Sequence, residues 1–279
     1  MSFAEAFAAV EAKAATAIKT EAGDYEKDGL LYCGKCNTPK QCVVDVLGTI
    51  RKPPCLCKCA KEARDMEEEA LRRRDFADKV QRFRSVGFPE SEMSKWNFAA
   101  DDGSNPKMSA AMQNYVQHFD DFRKQGKGLL LFGGVGTGKT FLAACVANAL
   151  IDKGVPCLVT NFARIANTVQ GLFEGRQEYY DSLNKYPLLV LDDLSAERKT
   201  EYMQEIVFNV IDARYRAKLP LIVTTNLTRD ELMKPADITY QRIFSRLFEM
   251  CTPIEIAGAD RRHAALKNDI AATKQLLGL

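Results

Sequence analysis

The chain has 279 residues, of which 46% are hydrophobic, and a formal net charge of +2 at pH 7. This length predicts one large domain or two small ones, with enough apolar residues for a core that needs no disulfides. The small net charge excludes a strongly basic nucleic-acid-binding protein, although a local basic patch is compatible with it.

Membrane and secretory classes are excluded next. No apolar run approaches the length of a membrane-spanning helix, and the start at Met1-Ser2-Phe3 has no basic stretch before an apolar core. We therefore expect a cytoplasmic protein without membrane contact. Thiols stay reduced in that compartment, so the nine cysteines point to metal binding or catalysis rather than disulfides.

The first predicted element is a helix over residues 3–20, which are rich in Ala, Glu and Lys. Six of the nine cysteines follow, between positions 33 and 59. A Cys-x-x-Cys motif with an internal glycine lets two thiolates reach one Zn²⁺, and residues 43–50 have the pattern of a hairpin strand. The sequence predicts a zinc-ribbon-like module with ligands Cys33, Cys36, Cys57 and Cys59, and with Cys55 and then Cys42 as alternatives. A redox motif and an iron–sulfur cluster are the rival interpretations.

A solvated helix is predicted over residues 60–84, where acidic residues precede basic ones at helical spacing. Gly87-Phe88-Pro89 ends it. We accordingly predict three parts: an amino-terminal helix and cysteine module over residues 1–59, a linker helix over 60–84, and a larger domain over 85–279.

The larger domain contains an apolar strand, Leu129–Phe132, followed by Gly-x-x-x-x-Gly-Lys-Thr and a helix from about Thr140. This is the context of a phosphate-binding loop, in which glycines turn backbone N–H groups toward an oxyanion and the helix N-terminus adds its dipole. Lys139 would reach the β- and γ-phosphates, and Thr140 would give its hydroxyl to Mg²⁺. The predicted nucleotide-binding residues are Gly133, Gly134, Val135, Gly136, Thr137, Gly138, Lys139, Thr140 and Phe141.

Two further strands end in polar residues. Leu188–Leu191 is followed by Asp192 and Asp193, and the strand that starts at Leu221 ends at Asn226. A buried strand delivers charge only at its end, so these residues are expected beside the nucleotide. Asp192 fits the acid on the Mg²⁺ side, Asp193 the base that orients the attacking water, and Asn226 a contact to that water or to the γ-phosphate.

The remaining elements are predicted from periodicity. Helices are expected over residues 109–125, 141–151, 161–183 (with a break near 171–175) and 201–216, and strands over 156–160 and 254–256.

Four motifs in order resemble the bacterial replicative-helicase loaders of the DnaC/DnaI type, which are AAA+ ATPases related to the IstB transposition helpers. They are the phosphate loop, Leu-Asp-Asp-Leu at 191–194, Thr-Thr-Asn at 224–226 and Arg-Ile-Phe-Ser-Arg-Leu at 242–247. The resemblance covers about residues 85–262, and the cysteine module resembles the zinc-binding, helicase-docking domain of some loaders. It implies an α/β fold: a P-loop AAA+ αβα sandwich with a parallel sheet, without a full carboxyl-terminal lid.

The resemblance also implies roles for three arginines. Arg246 resembles the arginine finger presented to the ATP of a neighbouring subunit. Arg262 resembles the second sensor, which contacts the γ-phosphate in its own subunit, and Arg261 is the alternative. The segment in which initiator-type AAA+ proteins place a DNA-facing helix contains Arg164, Arg176, Tyr179 and Tyr180.

The function implied by the resemblance is ATP-dependent loading of a DnaB-type ring helicase onto single-stranded DNA during replication initiation. The expected cofactors are ATP, Mg²⁺ and Zn²⁺, and the chain is expected to self-associate into a spiral or ring. The alternative is an IstB-like transposition helper ATPase that binds duplex DNA. The intact Asp192-Asp193 pair and Arg246 disfavour a protein that binds nucleotide without hydrolysing it.

Overall fold

The computed structural model of the protein describes residues 20–46, 48–194, 200–235, 237–261 and 273–277. The chain divides into two compact units, Met1–Ala77 and Asp78–Leu279, and the division falls inside one long helix. The amino-terminal helix predicted over residues 3–20, apart from its last residue, and the predicted second sensor Arg262 lie outside the described residues. The three-part division with boundaries at residues 59 and 84 stays a prediction.

The smaller unit contains two antiparallel hairpins. Strand β1 (Tyr25–Lys27) pairs with β2 (Leu30–Tyr32), and β3 (Val44–Val46) pairs with β4 (Thr49–Arg51). Asp28 and Gly29 both have positive φ, as a two-residue hairpin loop of the primed type requires. The segment predicted to contribute a hairpin strand, residues 43–50, therefore supplies most of a complete hairpin.

Helix α1 (Lys58–Gly87) begins within the last cysteine group, between Cys57 and Cys59, and crosses from the smaller unit into the larger one. Pairs four residues apart, such as Arg64 with Glu68 at 2.8 Å, stabilise its exposed faces modestly. The helix ends at Gly87, where an added Cβ would lie 2.3 Å from the carbonyl oxygen of Cys157. It is therefore longer than the predicted 60–84, and its glycine end permits close packing on the larger unit's own core.

The core of the larger unit is a parallel sheet of five strands in the order β6-β7-β8-β5-β9. All four neighbouring pairs are parallel, and β5 and β8 are buried along their whole length, as continuous apolar runs predict. The strands are β5 (Gly128–Phe132), β6 (Cys157–Asn161), β7 (Leu188–Leu194), β8 (Leu221–Thr225) and β9 (Cys251–Glu255).

Helices cover both faces of the sheet. On one face, α2 (Pro106–Gln117), α3 (Phe119–Gln125) and α4 (Lys139–Asp152) pack against alternate strand residues such as Leu129 and Leu131. The other face, with Leu130, carries five further helices. These are α5 (Phe162–Gln170), α6 (Arg176–Ser182), α7 (Glu201–Ala217), α8 (Arg229–Met233) and α9 (Ile238–Met250).

Two further predicted elements differ from the structure. The single helix expected over residues 109–125 is two helices, because His118 leaves the helical conformation and caps both α2 and α3. The last strand starts at Cys251 rather than at 254, with Pro253 opposite Leu130. A proline is tolerated there because β9 is an edge strand and needs no donor on its outer side.

Candidate functional site

A cavity of about 370 Å³ opens at the carboxyl edge of the parallel sheet. Ligands of such sheets bind at this edge, because the loops and helix N-termini that follow the strands converge there. The volume is within the range of small-molecule sites. Among the residues predicted from sequence, those that line it are Val135, Gly136, Gly138, Lys139, Thr140, Phe141, Asp192, Asp193, Asn226 and Arg261.

The phosphate loop between β5 and α4 has the conformation that its glycines predict. Gly136 and Gly138 have φ of 74° and 94°, a region that side chains disfavour. An added Cβ on Gly136 would lie 1.7 Å from the carboxylate of Asp260. The Lys139 ammonium donates to the carbonyls of Gly133 at 3.0 Å and Gly134 at 2.6 Å, inside the loop.

The loop's remaining polar residue is also internal. Thr137 is 4% exposed, and its hydroxyl donates to the Gly134 carbonyl at 3.0 Å. Thr137 therefore braces the loop from within, while the neighbouring residues line the cavity.

The Asp192 carboxylate connects the phosphate loop to the centre of the sheet. Its Oδ1 accepts hydrogen bonds from the hydroxyls of Thr140 at 2.8 Å and Thr224 at 2.6 Å. The predicted pair of Mg²⁺ ligands, Thr140 and Asp192, is therefore in direct contact. Oxygen ligands of this kind suit Mg²⁺, so the residues present fit the ion.

Asp193 is displaced from regular strand geometry. Its φ is 60°, and the register of β7 against β8 shifts between Leu191 and Leu194. The Asp193 amide donates to the Thr224 hydroxyl at 2.9 Å, and Asn226 Nδ2 donates to Asp193 Oδ1 at 3.0 Å. This bulge turns the Asp193 carboxylate toward Asn226 at the cavity, whereas the Asp192 carboxylate stays on the side of the phosphate loop.

Sequence reasoning missed two contributors to this pocket. Thr224 is 1% exposed within a buried strand, yet its hydroxyl contacts both aspartates. Trp96 lies at the cavity with its ring centroid 5.8 Å from that of Phe141. The buried Asn148 fixes the segment that contains Trp96, because its Nδ2 donates to the carbonyls of Trp96 and Met93 at 2.8 and 2.9 Å. A polar residue inside an apolar helix, as Asn148 is, was the available signal.

Arg261 lies at the cavity, whereas Arg262 is outside the described residues. The Arg261 amide donates to the Gly136 carbonyl at 3.0 Å, so the chain after β9 lies against the phosphate loop. Its guanidinium forms ion pairs with Asp101 at 3.4 Å and Asp102 at 3.1 Å. Arg261, the alternative sensor candidate, therefore lies beside the phosphate loop.

Arg246 lies on α9 and is not among the described residues that line this cavity. Its Nη2 is 2.9 Å from Asp212 Oδ1, and its Cζ is 4.4 Å from the centroid of the Phe208 ring. The geometry of a single chain thus leaves Arg246 outside the chain's own pocket, and its action on a neighbouring subunit stays a prediction.

The four predicted zinc ligands meet in the smaller unit. The Sγ atoms of Cys33, Cys36, Cys57 and Cys59 all lie within 4.8 Å of one another. A tetrahedral Zn²⁺ with Zn–S bonds of ~2.3 Å needs sulfur–sulfur separations of roughly 3.8 Å, so the cluster is slightly irregular but of the right size. Cys42 and Cys55, the predicted alternatives, are not part of the cluster.

The thiols of this cluster cannot all ionise without a compensating charge. The hydroxyl of Thr38, with the Cys59 amide, lowers the pKa of the Cys36 thiol to about 5. The neighbouring Cys57, with Cys33 and Cys36, raises the pKa of the Cys59 thiol to about 12. A divalent cation bound among them would remove this mutual repulsion, so the donor set fits Zn²⁺.

Contacts around the Cys33–Cys36 turn fix the backbone that carries the first two cysteines of the cluster. Gly34 cannot carry a side chain, because an added Cβ would lie 1.9 Å from the Gly23 carbonyl oxygen. The Gly34 amide donates to Asp24 at 3.1 Å, and Asp24 forms a 2.5 Å ion pair with Lys40 that lowers the Asp24 pKa to about 2. Such partners orient metal ligands.

The predicted DNA-facing segment is only partly available. Tyr180 is 4% exposed and belongs to the core, so its side chain is not available to DNA. Arg164 and Arg176 are exposed, on α5 and α6 respectively. Phe173, in the loop between these helices, is fully exposed and was not singled out from the sequence. The exposed surface here therefore combines two arginines with one aromatic ring.

Comparison with known proteins assigns the family. The model of the family described as IstB-like ATP binding protein matches residues 65–268. The chain belongs to this family. It is 25% identical over 206 residues to the replicative helicase loader DnaI of Bacillus subtilis (strain 168), covering 69% of this chain and 66% of the relative. The match therefore spans slightly less than two thirds of that relative's length.

Two further comparisons agree with the fold. Identity to the replicative helicase loader DnaC of Escherichia coli (strain K12) is 27% over 195 residues, covering 67% of this chain and 77% of DnaC. The crystal structure of DnaI superimposes with a TM-score of 0.52 at 26% identity, covering 64% of this chain and 99% of that one. The predicted AAA+ αβα sandwich with a parallel sheet is confirmed. This protein is thus an ATP-binding AAA+ protein. Among its described helices, none is both long and apolar enough to cross a membrane.

Proposed function

We propose that this protein uses ATP to load a ring-shaped replicative helicase onto single-stranded DNA during replication initiation. One observation carries the proposal: a complete AAA+ nucleotide pocket and a four-cysteine cluster occur in one chain that is similar to the loaders DnaI and DnaC. The pocket would supply the ATP-driven switch. The smaller unit would dock on the helicase.

Within the pocket, each polar group has a proposed role. Lys139 counters the phosphate charge, and the wall of Trp96 and Phe141 suits the planar base. Mg²⁺, when held by Thr140 and Asp192, would neutralise charge that develops on the phosphates.

Hydrolysis would use the second carboxylate of the pair. Asp193 orients the attacking water, with Asn226 holding the carboxylate from one side. Arg262 is the proposed second sensor, with Arg261 as the alternative, and Arg246 completes the site of the neighbouring subunit. Hydrolysis would therefore require the self-associated spiral or ring.

Single-stranded DNA is the proposed nucleic-acid ligand. Exposed arginines and a stacking aromatic ring are the usual surface for a strand that is bound without sequence preference. Arg164, Arg176 and Phe173 supply that combination on the α5–α6 segment.

Loading onto a closed DNA circle tests the proposal. The full chain would be mixed with ATP, circular single-stranded DNA and ring helicases from a panel of bacteria and phages. Helicase retained on the circle after a high-salt wash must be topologically linked, and we expect retention only with the protein and ATP. Lys139→Ala, which removes the main counter-charge of the phosphates, should abolish both ATP binding and retention. Retention without the protein, or equal retention with Lys139→Ala, contradicts the proposal.

The second candidate is a transposition helper, favoured by the family description itself. Such a protein would bind duplex DNA in the presence of ATP and would leave the helicase unlinked. Comparing the affinity for duplex and single-stranded DNA in the same preparation separates the two candidates. Tight duplex binding with no helicase retention would favour the helper.

A further inference from the structure

Arg246 sits in a side-chain cluster that the proposed function does not yet explain. Its Nη2 lies 2.9 Å from Asp212 Oδ1, while Asp212 Oδ2 lies 2.8 Å from Nη2 of Arg216. Each oxygen of the Asp212 carboxylate therefore holds one guanidinium, and only 16% of the Asp212 side chain is exposed. The carboxylate has little freedom to turn away from Arg246.

Aromatic rings hold the same guanidinium from other directions. The Arg246 Cζ lies 4.4 Å from the centroid of Phe208 and 5.9 Å from that of Tyr215. The Tyr215 hydroxyl donates to Glu249 Oε2 at 2.6 Å, which fixes that ring. A planar cation over an aromatic face has its orientation set as well as its position. Because 28% of the Arg246 side chain remains exposed, this held group still faces solvent.

We infer that Asp212 is the positioning residue for Arg246, a role that rests on the proposed action of Arg246 on the neighbouring subunit's ATP. A free arginine samples many rotamers and loses that freedom when it meets a phosphate. An arginine already held by a carboxylate and an aromatic ring reaches the transition state without that loss. Asp212 never touches the nucleotide in this scheme and acts only through Arg246.

The alternative role of the Asp212–Arg246 ion pair is structural, namely to stabilise the packing of α7 against α9. The packing of these helices argues against that need, because Ile206 and Val210 of α7 and Ile243 and Leu247 of α9 are buried in one core cluster. A partly exposed ion pair adds little to such an interface. Asp212→Asn, which keeps the shape and removes the charge, is therefore expected to fold.

The test measures steady-state ATP hydrolysis by assembled full-length chains. Asp212→Asn should lower kcat by about 10- to 100-fold, the range for partners that orient a functional group, with KM for ATP unchanged. In an Arg246→Ala background the same change should cost nothing further, because the group it positions is gone. Asp121→Asn is the matched control, since it removes an aspartate from an exposed ion pair with Lys124 on α3 and should leave kcat unchanged.

Mixed assemblies give the readout that a structural role would not move. Lys139→Ala chains cannot bind ATP but carry an intact Asp212–Arg246 pair. Added to Asp212→Asn chains, they should raise the rate per functional ATP site, because a correctly held arginine now faces some of those sites. A defect confined to each chain's own fold cannot be rescued in this way.

The outcomes separate this inference from the role on which it rests. Wild-type hydrolysis by Arg246→Ala overturns the arginine-finger role and the inference together. Loss of hydrolysis in Arg246→Ala with wild-type kcat in Asp212→Asn, or a loss in Asp212→Asn that mixing does not rescue, overturns the inference alone. If Asp212→Asn fails to fold, Asp212→Glu keeps the charge but shifts it by one methylene, and its partial loss of kcat must be rescued by mixing.

Discussion

Thr224 connects the Asp192 carboxylate to the Asp193 backbone amide through one hydroxyl. It donates to Asp192 at 2.6 Å and accepts from the Asp193 amide at 2.9 Å. We predict that Thr224→Val, which keeps the side-chain volume, lowers the affinity for Mg²⁺. It should also lower the rate of ATP hydrolysis by about 10- to 100-fold, as for other residues that hold metal ligands in place. ATP binding should be retained because the phosphate loop is untouched. Hydrolysis titrated against Mg²⁺ measures this, with Thr224→Ser as the control that keeps the hydroxyl; equal rates for Val and wild type would exclude the role.

Arg214 is a charged residue that is fully buried, and its described hydrogen-bond partners are uncharged. Its guanidinium donates to four backbone carbonyls, those of Leu183, Tyr186, Pro187 and Pro220. Burial lowers the Arg214 pKa to about 10, which still leaves the group charged at neutral pH. Two of these carbonyls directly precede β7 and β8, so one side chain fixes the entry of both strands.

We predict that Arg214→Met lowers the free energy of unfolding by about 3–5 kcal/mol, because buried carbonyls lose their donors. Urea unfolding followed by the fluorescence of the only tryptophan, Trp96, reports on the larger unit. Arg216→Met, on the same helix with a 64% exposed side chain, is the control and should change stability little. A small effect of Arg214→Met would mean that water replaces the lost donors.

Residues at strand ends could be predicted from sequence, whereas residues that act from buried positions could not. Asp192, Asp193 and Asn226 stand out because charge or amide follows an apolar run, and the parallel sheet brings them together. Thr224 reads as an ordinary β-branched strand residue, and Arg214 as one more basic residue of the helix predicted over 201–216. Their roles depend on contacts some thirty residues away, which no local pattern encodes.

At the scale of elements, periodicity located the helices and strands and the break between α5 and α6, but not the interruption at His118. The apolar pattern continues from α2 into α3 across His118, so a single helix was the natural prediction. The predicted DNA-facing segment contains two adjacent tyrosines, but helical geometry turns Tyr180 into the core while the α5–α6 loop exposes Phe173. Which of several neighbouring aromatics faces solvent is decided by packing, not composition.

The α5–α6 loop carries the next prediction. Phe173→Ala should weaken binding of single-stranded DNA by about 1–3 kcal/mol, the value of one base–aromatic stack. The slope of log affinity against log salt should stay unchanged, since no phosphate contact is lost. Arg176→Ala should instead lower that slope by about 0.7.

Fluorescence anisotropy with a labelled oligonucleotide over a range of salt concentrations measures both quantities. Met233→Ala, another exposed apolar residue of the larger unit, is the matched control and should bind like wild type. Unaltered affinity in Phe173→Ala would remove this loop from the DNA-binding surface.

At the scale of the whole molecule, the chain joins two units that are stabilised in different ways. The larger unit has extensive cores on both faces of its sheet, whereas the smaller one has short hairpins and buried cysteines. A unit with so small a core needs an additional cross-link such as a structural metal, and the four clustered thiols are the groups that could bind one. Cysteine spacing predicted which four cysteines cluster, because one pair is the Cys33–Cys36 motif and the other lies at the start of α1. Only the fold shows that Cys42 and Cys55 stand apart.

This difference predicts that metal removal affects one unit and spares the other. Wild-type protein should contain about one zinc per chain, by the four-thiolate rule. Cys36→Ser should lose the zinc and unfold the smaller unit, because such modules fold on the metal. ATP binding should remain, since the phosphate loop belongs to the separately packed larger unit. Retention of helicase should be lost if the smaller unit is the docking part.

Zinc content, limited proteolysis and nucleotide affinity, measured on the same preparations, check this prediction. Cys42→Ser is the matched control: its thiol lies outside the cluster, so zinc and proteolytic resistance should both be kept. A folded wild-type protein without zinc would contradict the metal site. Loss of zinc in Cys42→Ser would contradict the ligand set, because a fifth thiol would then be required. Loss of ATP binding in Cys36→Ser would instead show that the two units depend on each other for folding, which their separate cores argue against.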